Sequence, residues 1–230
     1  MNYGSSAVTG ERAFLRRYLP NKTGVLIDVG ANTGQYSTDA LALNRSLQIF
    51  AFEPHPKTFE ELAARVKDKP NIVAINKGVA SAPGKLALFD YSDRDGSQHA
   101  SLFQEVITEI HGADGYISHQ VDVVTLDQFV SENAIAEISL LKIDTEGNEL
   151  EVLKGARETL AQGMIKAIHF EFNEMNVISR TFFKDFDRIL HQYKFFRLLP
   201  NEMLELPNYQ PLYCEIYAYQ NIVAVLDEGR

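Results

Sequence analysis

Four groups of side chains in this sequence could do chemistry, and each lies where a strand-like run hands over to a turn. The first is Asp28-Val29-Gly30-Ala31-Asn32-Thr33-Gly34. Its glycines permit a tight turn and a close approach of backbone to ligand. A helix starting beyond it offers free N–H groups to a carboxylate or phosphate. Asn32 stands where the dinucleotide fingerprint G-x-G-x-x-G has its second glycine, which disfavours a pyrophosphate. The second group is Glu53, 19 residues beyond Gly34, with Pro54 behind it. An acid at that place in an open α/β sheet accepts hydrogen bonds from ribose hydroxyls.

The third group is Asp144-Thr145-Glu146-Gly147-Asn148-Glu149. Glu149 complements the dipole of the helix that follows. Asp144 sits at the C-terminal edge of a central strand, where such sheets bind ligands, and Glu146 is expected to face the same ligand. The fourth is a polar row, His169, Glu171 and Asn173, alternating with Ile168, Phe170 and Phe172. Strand geometry puts the two sets on opposite faces. A strand inside a parallel sheet is normally apolar on both, so the polar row needs partners. It is either a satisfied network bracing the strand of Asp144 or a row that reaches an active site.

These groups need a scaffold, and the hydrophobic pattern supplies one. Short apolar runs predict strands at 25–29, 47–52, 71–76, 138–143, 165–172, 195–199 and 217–226. Helices are expected over 33–43, 56–67, 126–133 (with Thr125 as N-cap), 148–161 and 180–193. Strand and helix alternate through short turns, the signature of a mostly parallel sheet with helices on both faces. Residues 84–124 interrupt that rhythm with an extra strand at 84–91, a polar loop at 92–116 carrying a short helix near 104–110, and another strand at 119–124. Loops of this length are usually functional. No linker divides the chain, so one domain is expected over 1–230. It comprises an N-terminal helical segment (1–23), a core (24–173) with the insertion (84–124), and a C-terminal part of the sheet (174–230).

Composition narrows the function classes. Lys and Arg number 22 against 31 Asp and Glu, a formal charge of −9. An acidic body repels phosphate backbones, so nucleic acid is not expected as a partner. Arg12, Arg16 and Arg17 read as a solvated helix face. The N-terminus lacks an apolar signal region and no run is long enough to span a bilayer, so a soluble, cytoplasmic protein is expected. Homo-oligomerisation is left open. Cys214 lies among aromatics and reads as packing. No Cys/His metal spacing is present, and no metal is assigned, although Asp144 and Glu171 as a carboxylate pair could hold Mg²⁺. His55, His99, His111, His119 and His191 are given no catalytic role.

The segments VLIDVGANTGQYS, IFAFEPHP, NKGVAS, VTLDQF and LLKIDTEGNELEVLKGA occur in that order. They make the chain resemble the FkbM-type family of S-adenosylmethionine-dependent methyltransferases over about residues 24–173, with a continuation in YQNIVAV. The resemblance implies a class I, Rossmann-like, seven-stranded sheet whose last strand is antiparallel. It implies an O-methyltransferase (EC 2.1.1.-) acting on a hydroxyl of a sugar, glycan or secondary metabolite, with S-adenosyl-L-homocysteine as cofactor product. The cofactor would be held by Asp28, Gly30, Ala31, Asn32, Gly34, Tyr36, Glu53, Pro54, Gly78, Val79 and Asp144. Candidate bases for the acceptor hydroxyl are Glu171, His169 and Glu146. The rival readings are a nucleoside-binding module without catalysis and an NAD-dependent oxidoreductase.

Overall fold

The computed structural model describes residues 9–227 and Gly229, so the first eight residues of the expected N-terminal segment lie outside the described residues. Helix α1 (Glu11–Tyr18) is followed by β1 (Val25–Val29), α2 (Gln35–Leu43), β2 (Gln48–Phe52), α3 (Pro56–Val66) and β3 (Ile72–Ile75). The short β4 (Gly78–Val79) and long β5 (Gly84–Tyr91) lead into a loop with a π-helical turn at Val106–Ile110, and β6 (Tyr116–Val124) returns. Then come α4 (Leu126–Glu132), β7 (Ile138–Ile143), α5 (Glu149–Lys154), α6 (Arg157–Ala161), β8 (Ala167–Phe172), α7 (Met175–Ile178) and α8 (Phe183–Ile189). The chain closes with β9 (Tyr193–Leu198), β10 (Met203–Glu205), α9 (Pro211–Cys214) and β11 (Gln220–Leu226).

The main sheet runs β10-β9-β11-β8-β7-β1-β2-β3. β8, β7, β1, β2 and β3 pair in parallel, and β11 is antiparallel to both its neighbours. This is the expected seven-stranded arrangement with its reversed last strand. An eighth strand, β10, is added at the edge as the antiparallel partner of β9. Both faces are covered. Ile27, Leu141, Ile143, Phe170 and Phe172 pack toward α4, α5, α6 and α8. Leu26, Leu140, Ile49 and Val223 pack toward α1, α2 and α3 with Phe14, Ala40 and Leu62. Cys214 is buried in the first of these cores, as its aromatic neighbourhood suggests.

The insertion joins β4, just before it, in a separate sheet ordered β4-β6-β5. β6 begins three residues earlier than expected, because its antiparallel pairing with β5 runs the full length from Gly84↔Val123 to Tyr91↔Tyr116. The loop after β5 is organised by buried Asp90, which accepts backbone N–H bonds from Gly96 (2.7 Å) and Ser97 (2.9 Å). Asp95 in turn ties the loop to α3 through Lys57 and His55, and to β6 through His119.

Two helices differ from expectation. The single helix over 148–161 is broken into α5 and α6 at Gly155, which lies so close to β4 that a Cβ there would sit 2.2 Å from the Ala80 carbonyl oxygen. The helix over 180–193 shortens to α8, because Tyr193 opens β9 and its hydroxyl donates to the Ile165 carbonyl (2.8 Å). Gly155→Ala is expected to destabilise the protein by about 1–3 kcal/mol, the usual cost of forcing extra atoms into a packed interior. Urea unfolding measures this, and a loss below about 0.5 kcal/mol, the ordinary range for surface changes, would show that α5 and α6 can move away from the insertion.

Candidate active site

Strand register aligns a polar row across the centre of the sheet. Asp28 of β1 pairs with Lys142 of β7, and Lys142 pairs with His169 of β8. One step further along lie Asp144 and Glu171, at the C-terminal tips of β7 and β8. α1 and α2 cover this face. Ser37 Oγ donates to Asp28 Oδ2 (2.6 Å), and Lys142 Nζ lies 3.6 Å from Glu11 Oε1 and 3.4 Å from Asp144 Oδ2.

Lys142 is 2% exposed. Burial by itself would lower its pKa, but the carboxylates of Asp144, Glu11, Glu171 and Asp28 outweigh that and raise it. The ammonium is therefore charged. It has ion-pair neighbours but no hydrogen bond of good geometry, and it lines the cleft described below.

At the tips of these strands opens a cleft of about 670 Å³. Of the residues expected to hold a cofactor, Asp28, Gly30, Ala31, Asn32, Tyr36, Glu53, Pro54, Gly78, Val79 and Asp144 all line it. Gly34 stands behind the wall, packed on Leu62 of α3. Gly30 adopts φ 78°, and a Cβ there would lie 1.8 Å from the Asp144 carbonyl oxygen. Only glycine lets the loops after β1 and β7 touch in this way. Asn32 is also left-handed, at φ 51°, and its side chain accepts from the Thr33 N–H (2.7 Å).

Glu53 braces that loop. Its two oxygens accept N–H bonds from Asn32 (2.9 Å) and His55 (2.8 Å). Burial still pushes its carboxyl up to about 7. A carboxylate has about four lone-pair positions, so acceptor capacity remains for a ligand. Asp28 is likewise pushed up to about 6 by burial. Glu149 is a clasp for its own loop. One oxygen accepts from the Thr145 N–H, the Thr145 hydroxyl and the Gly147 N–H at 3.0–3.1 Å.

The three candidate bases separate. Glu171 lines the cleft, and accepts from the Tyr219 hydroxyl (2.7 Å) and the Asn173 amide (3.1 Å). Burial first, and then the charge of Asp144, holds its carboxyl well above the usual range. Glu146 also lines the cleft, in a left-handed backbone at φ 53°, with Oε1 3.2 Å from His99 Nδ1. Burial pushes its carboxyl up to about 7.

His169 does not reach the cleft, which corrects the expectation that it could serve as a base. It is 0% exposed, with Nδ1 bonded to the Tyr36 hydroxyl (2.9 Å) and Nε2 to Asn221 Oδ1 (2.8 Å). The Asn221 amide nitrogen donates to Tyr219. Its oxygen is therefore left for a His169 Nε2–H, and Nδ1 accepts from Tyr36. Burial holds the imidazole well below its ordinary pKa, and neighbouring Lys142 adds to that. This half of the polar row is the satisfied network.

Several residues at the site are given no role by the sequence. Lys142, Glu11, Tyr219 and Asn221 complete the charge and hydrogen-bond network. His99 and His111, given no catalytic role by the sequence, both line the cleft. The sequence held one signal for Lys142: a lysine inside the apolar run Ile138–Ile143 must be paired to be buried. The suggested Mg²⁺ pair is tied to protein donors instead, Asp144 to Lys142 and Glu171 to Tyr219 and Asn173.

A family model described as "Methyltransferase FkbM domain" matches residues 28–197, a span that holds the Gly30 turn, Glu53, Asp144 and Glu171. The chain belongs to this family. Among curated relatives, the hexuronic acid methyltransferase AglP of Haloferax volcanii is 30% identical, over 66% of this chain and 58% of that protein. The 2-O-methyltransferase NoeI of Sinorhizobium fredii is 26% identical, over 66% of this chain and 65% of that protein. The match thus spans less than two thirds of either relative's length. Among solved structures, the METTL16 MTase domain aligns with a TM-score of 0.50 at 9% identity, covering 94% of this chain and 66% of that one, which is a likeness of fold. Among the described residues no helix is long and apolar enough to cross a membrane.

For this FkbM-domain chain, Lys142→Met is expected to cost about 3–5 kcal/mol near pH 8, since it leaves buried carboxylates without their counter-charge. The cost should shrink toward pH 5, as the raised carboxyls of Asp28 and Glu171 take up protons. Urea unfolding at the two pH values checks this. An equal loss at both would assign the effect to packing.

Proposed function

We propose that this chain is an S-adenosylmethionine-dependent O-methyltransferase, acting as one methyltransferase domain on a hydroxyl of a sugar or glycan. The observation that carries this reading is the convergence, on one cleft, of the Gly30 turn, the braced Glu53 and the acidic tips of β7 and β8. Membership of the FkbM family and the names of the two relatives support the activity, the name of NoeI supports an oxygen acceptor, and the name of AglP supports a sugar.

The residues present fit that cofactor. Glu53 retains acceptor capacity for the ribose hydroxyls, with Pro54, Gly78 and Val79 beside it. The unsatisfied ammonium of Lys142 suits the carboxylate of the methionine part, and the loop 30–34 would lie along it. Asn32 argues against NAD: its side chain and its N–H bond to Glu53 occupy the place where a second glycine would admit pyrophosphate.

When bound, S-adenosylmethionine supplies a methyl group on a sulfonium, which leaves as a neutral thioether. The chain's own contribution is alignment and removal of a proton. Glu171 is the base in this proposal. It stands at the tip of β8, and its two hydrogen bonds fix its rotamer. Burial makes its ionised form a stronger base than an exposed glutamate. Glu146 and His99 face the acceptor side, and His169 positions Tyr36 and Asn221 without touching a ligand.

Calorimetry is expected to show S-adenosylhomocysteine binding in the micromolar range and no binding of NAD, with the affinity reduced in Glu53→Ala. The reverse preference would overturn the methyltransferase reading, and unchanged affinity in Glu53→Ala would remove the ribose assignment. Glu171→Gln should lower kcat by about 10²–10⁴, the worth of a positioned general base, and leave S-adenosylhomocysteine affinity unchanged. In the wild type, kcat should fall as pH drops through the raised Glu171 pKa, at a pH above the ordinary carboxylate range, and this acid limb should vanish in the variant. Normal turnover in Glu171→Gln would clear Glu171 of the base role.

A further inference from the structure

Two imidazoles and a carboxylate from three separate segments meet on the wall of the cleft. His99 comes from the loop after β5, His111 ends the π-helical turn, and Glu146 follows β7. One ligand atom from each lies within 4.8 Å of the other two. His99 Nδ1 is 3.2 Å from Glu146 Oε1, and the rings of His99 and His111 lie 4.5 Å apart, tilted by 36°.

Two atoms of this set are left without protein partners. His111 Nε2 and Glu146 Oε2 are both buried, and neither makes a hydrogen bond. Leaving such groups unpaired costs roughly 1–3 kcal/mol each. The backbone is also held in uncommon conformations at these places. Glu146 sits at φ 53°, an arrangement worth about 1–3 kcal/mol of strain in a non-glycine residue and concentrated at functional sites. The turn at Val106–Ile110 is π-helical, a rare form with the same tendency. It fixes His111 through the His111 N–H bond to the Val106 carbonyl (3.0 Å). Ser101 Oγ donates to the Glu146 carbonyl (2.8 Å) and steadies the third ligand.

We propose that His99, His111 and Glu146 bind a divalent first-row transition metal ion of the zinc type. Two nitrogens and one carboxylate suit such an ion, whereas Mg²⁺ selects oxygen ligands. Metal–ligand bonds of about 2.0–2.2 Å place ligand atoms about 3–3.5 Å apart, so side-chain movements of about 1 Å close the set. Three protein ligands leave coordination positions open to the cleft. The His99 side chain is 46% exposed, which gives ion and acceptor a way in.

The ion's role rests on the methyltransferase reading. As a Lewis acid it would bind the acceptor hydroxyl and acidify it, and the proton would pass to Glu171. Metal binding itself does not depend on that reading. In the other cluster, His55, Asp95 and His119, the carboxylate is already engaged by protein partners, although His55 Nδ1 is buried without one. Asp95 Oδ1 bonds both imidazoles at 3.0 and 2.7 Å, and Lys57 pairs with its second oxygen.

The test is cobalt(II) titration of chelator-stripped protein, read by visible d–d absorption. The wild type is expected to bind one Co²⁺ per chain. His99→Ala and His111→Ala should each weaken binding at least about tenfold to a hundredfold, since even residues that merely support a ligand are worth that much. His119→Ala should bind as the wild type does. Circular dichroism checks the fold. Should His111→Ala fail to fold, the exposed His99 carries the test alone. Wild-type binding no tighter than that of the His99 variant, or a loss that follows His119, would overturn the proposal. S-adenosylhomocysteine affinity, measured on the same samples, reports separately on the methyltransferase reading.

Discussion

Lys142 brings a positive charge into the middle of the sheet, where Asp28, Asp144, Glu171 and Glu11 surround it from three strands and a helix. Without that charge, four carboxylates would share one face of the sheet with no counter-charge among them, and burial would drive Asp28 and Glu171 further toward protonation. With it, the acidic tips of β7 and β8 can stand side by side at the cleft. The requirement reaches outward into the fold. α1 must lie across the sheet to deliver Glu11, and α2 must follow the Gly30 turn closely enough to set Tyr36 and Ser37 over the polar row. The register Asp28↔Lys142↔His169 puts all of this on one face.

The same row divides into two functions along its length. Toward the N-terminal side, His169 is enclosed by Tyr36 and Asn221, and its polar atoms are fully used. Such a network is stable because each member is paired. On the wall of the cleft, pairing is incomplete. Glu146 keeps an unpartnered oxygen, Lys142 keeps unused donors, and His111 keeps an unpartnered nitrogen. Lys142, Glu146 and His111 all line the cleft, whereas His169 does not.

The insertion builds one wall of the cleft. Its separate sheet, β4-β6-β5, contributes Leu88, Val121 and Val123 to the wall, and its loop contributes His99 and His111. Asp90 and Asp95 hold the loop in place by gathering backbone N–H groups, His55, His119 and Lys57. This wall therefore rests on a polar scaffold, while the opposite wall rests on the Gly30 turn and Glu53. Gly155 links the two, because its missing side chain lets the helices after β7 press against the strand just before the insertion.

The sequence by itself determined the parallel sheet, its helices and the Gly30–Glu53–Asp144 frame, because those features depend on local periodicity, turn residues and chain spacing. β1, β5 and β7 fall where the apolar runs place them, and the reversed last strand follows from the family resemblance. Tertiary structure decided everything that depends on neighbours from distant segments. Helix 148–161 breaks because of a carbonyl at Ala80, some 75 residues earlier. His169 loses its chemistry because Tyr36 and Asn221 enclose it, and His99 and His111 gain a place at the cleft because a polar loop folds back over it. Side-chain types report what a residue can do. Burial, register and the partners brought in from elsewhere set whether it does so, since pKa and hydrogen-bond capacity belong to the assembled environment.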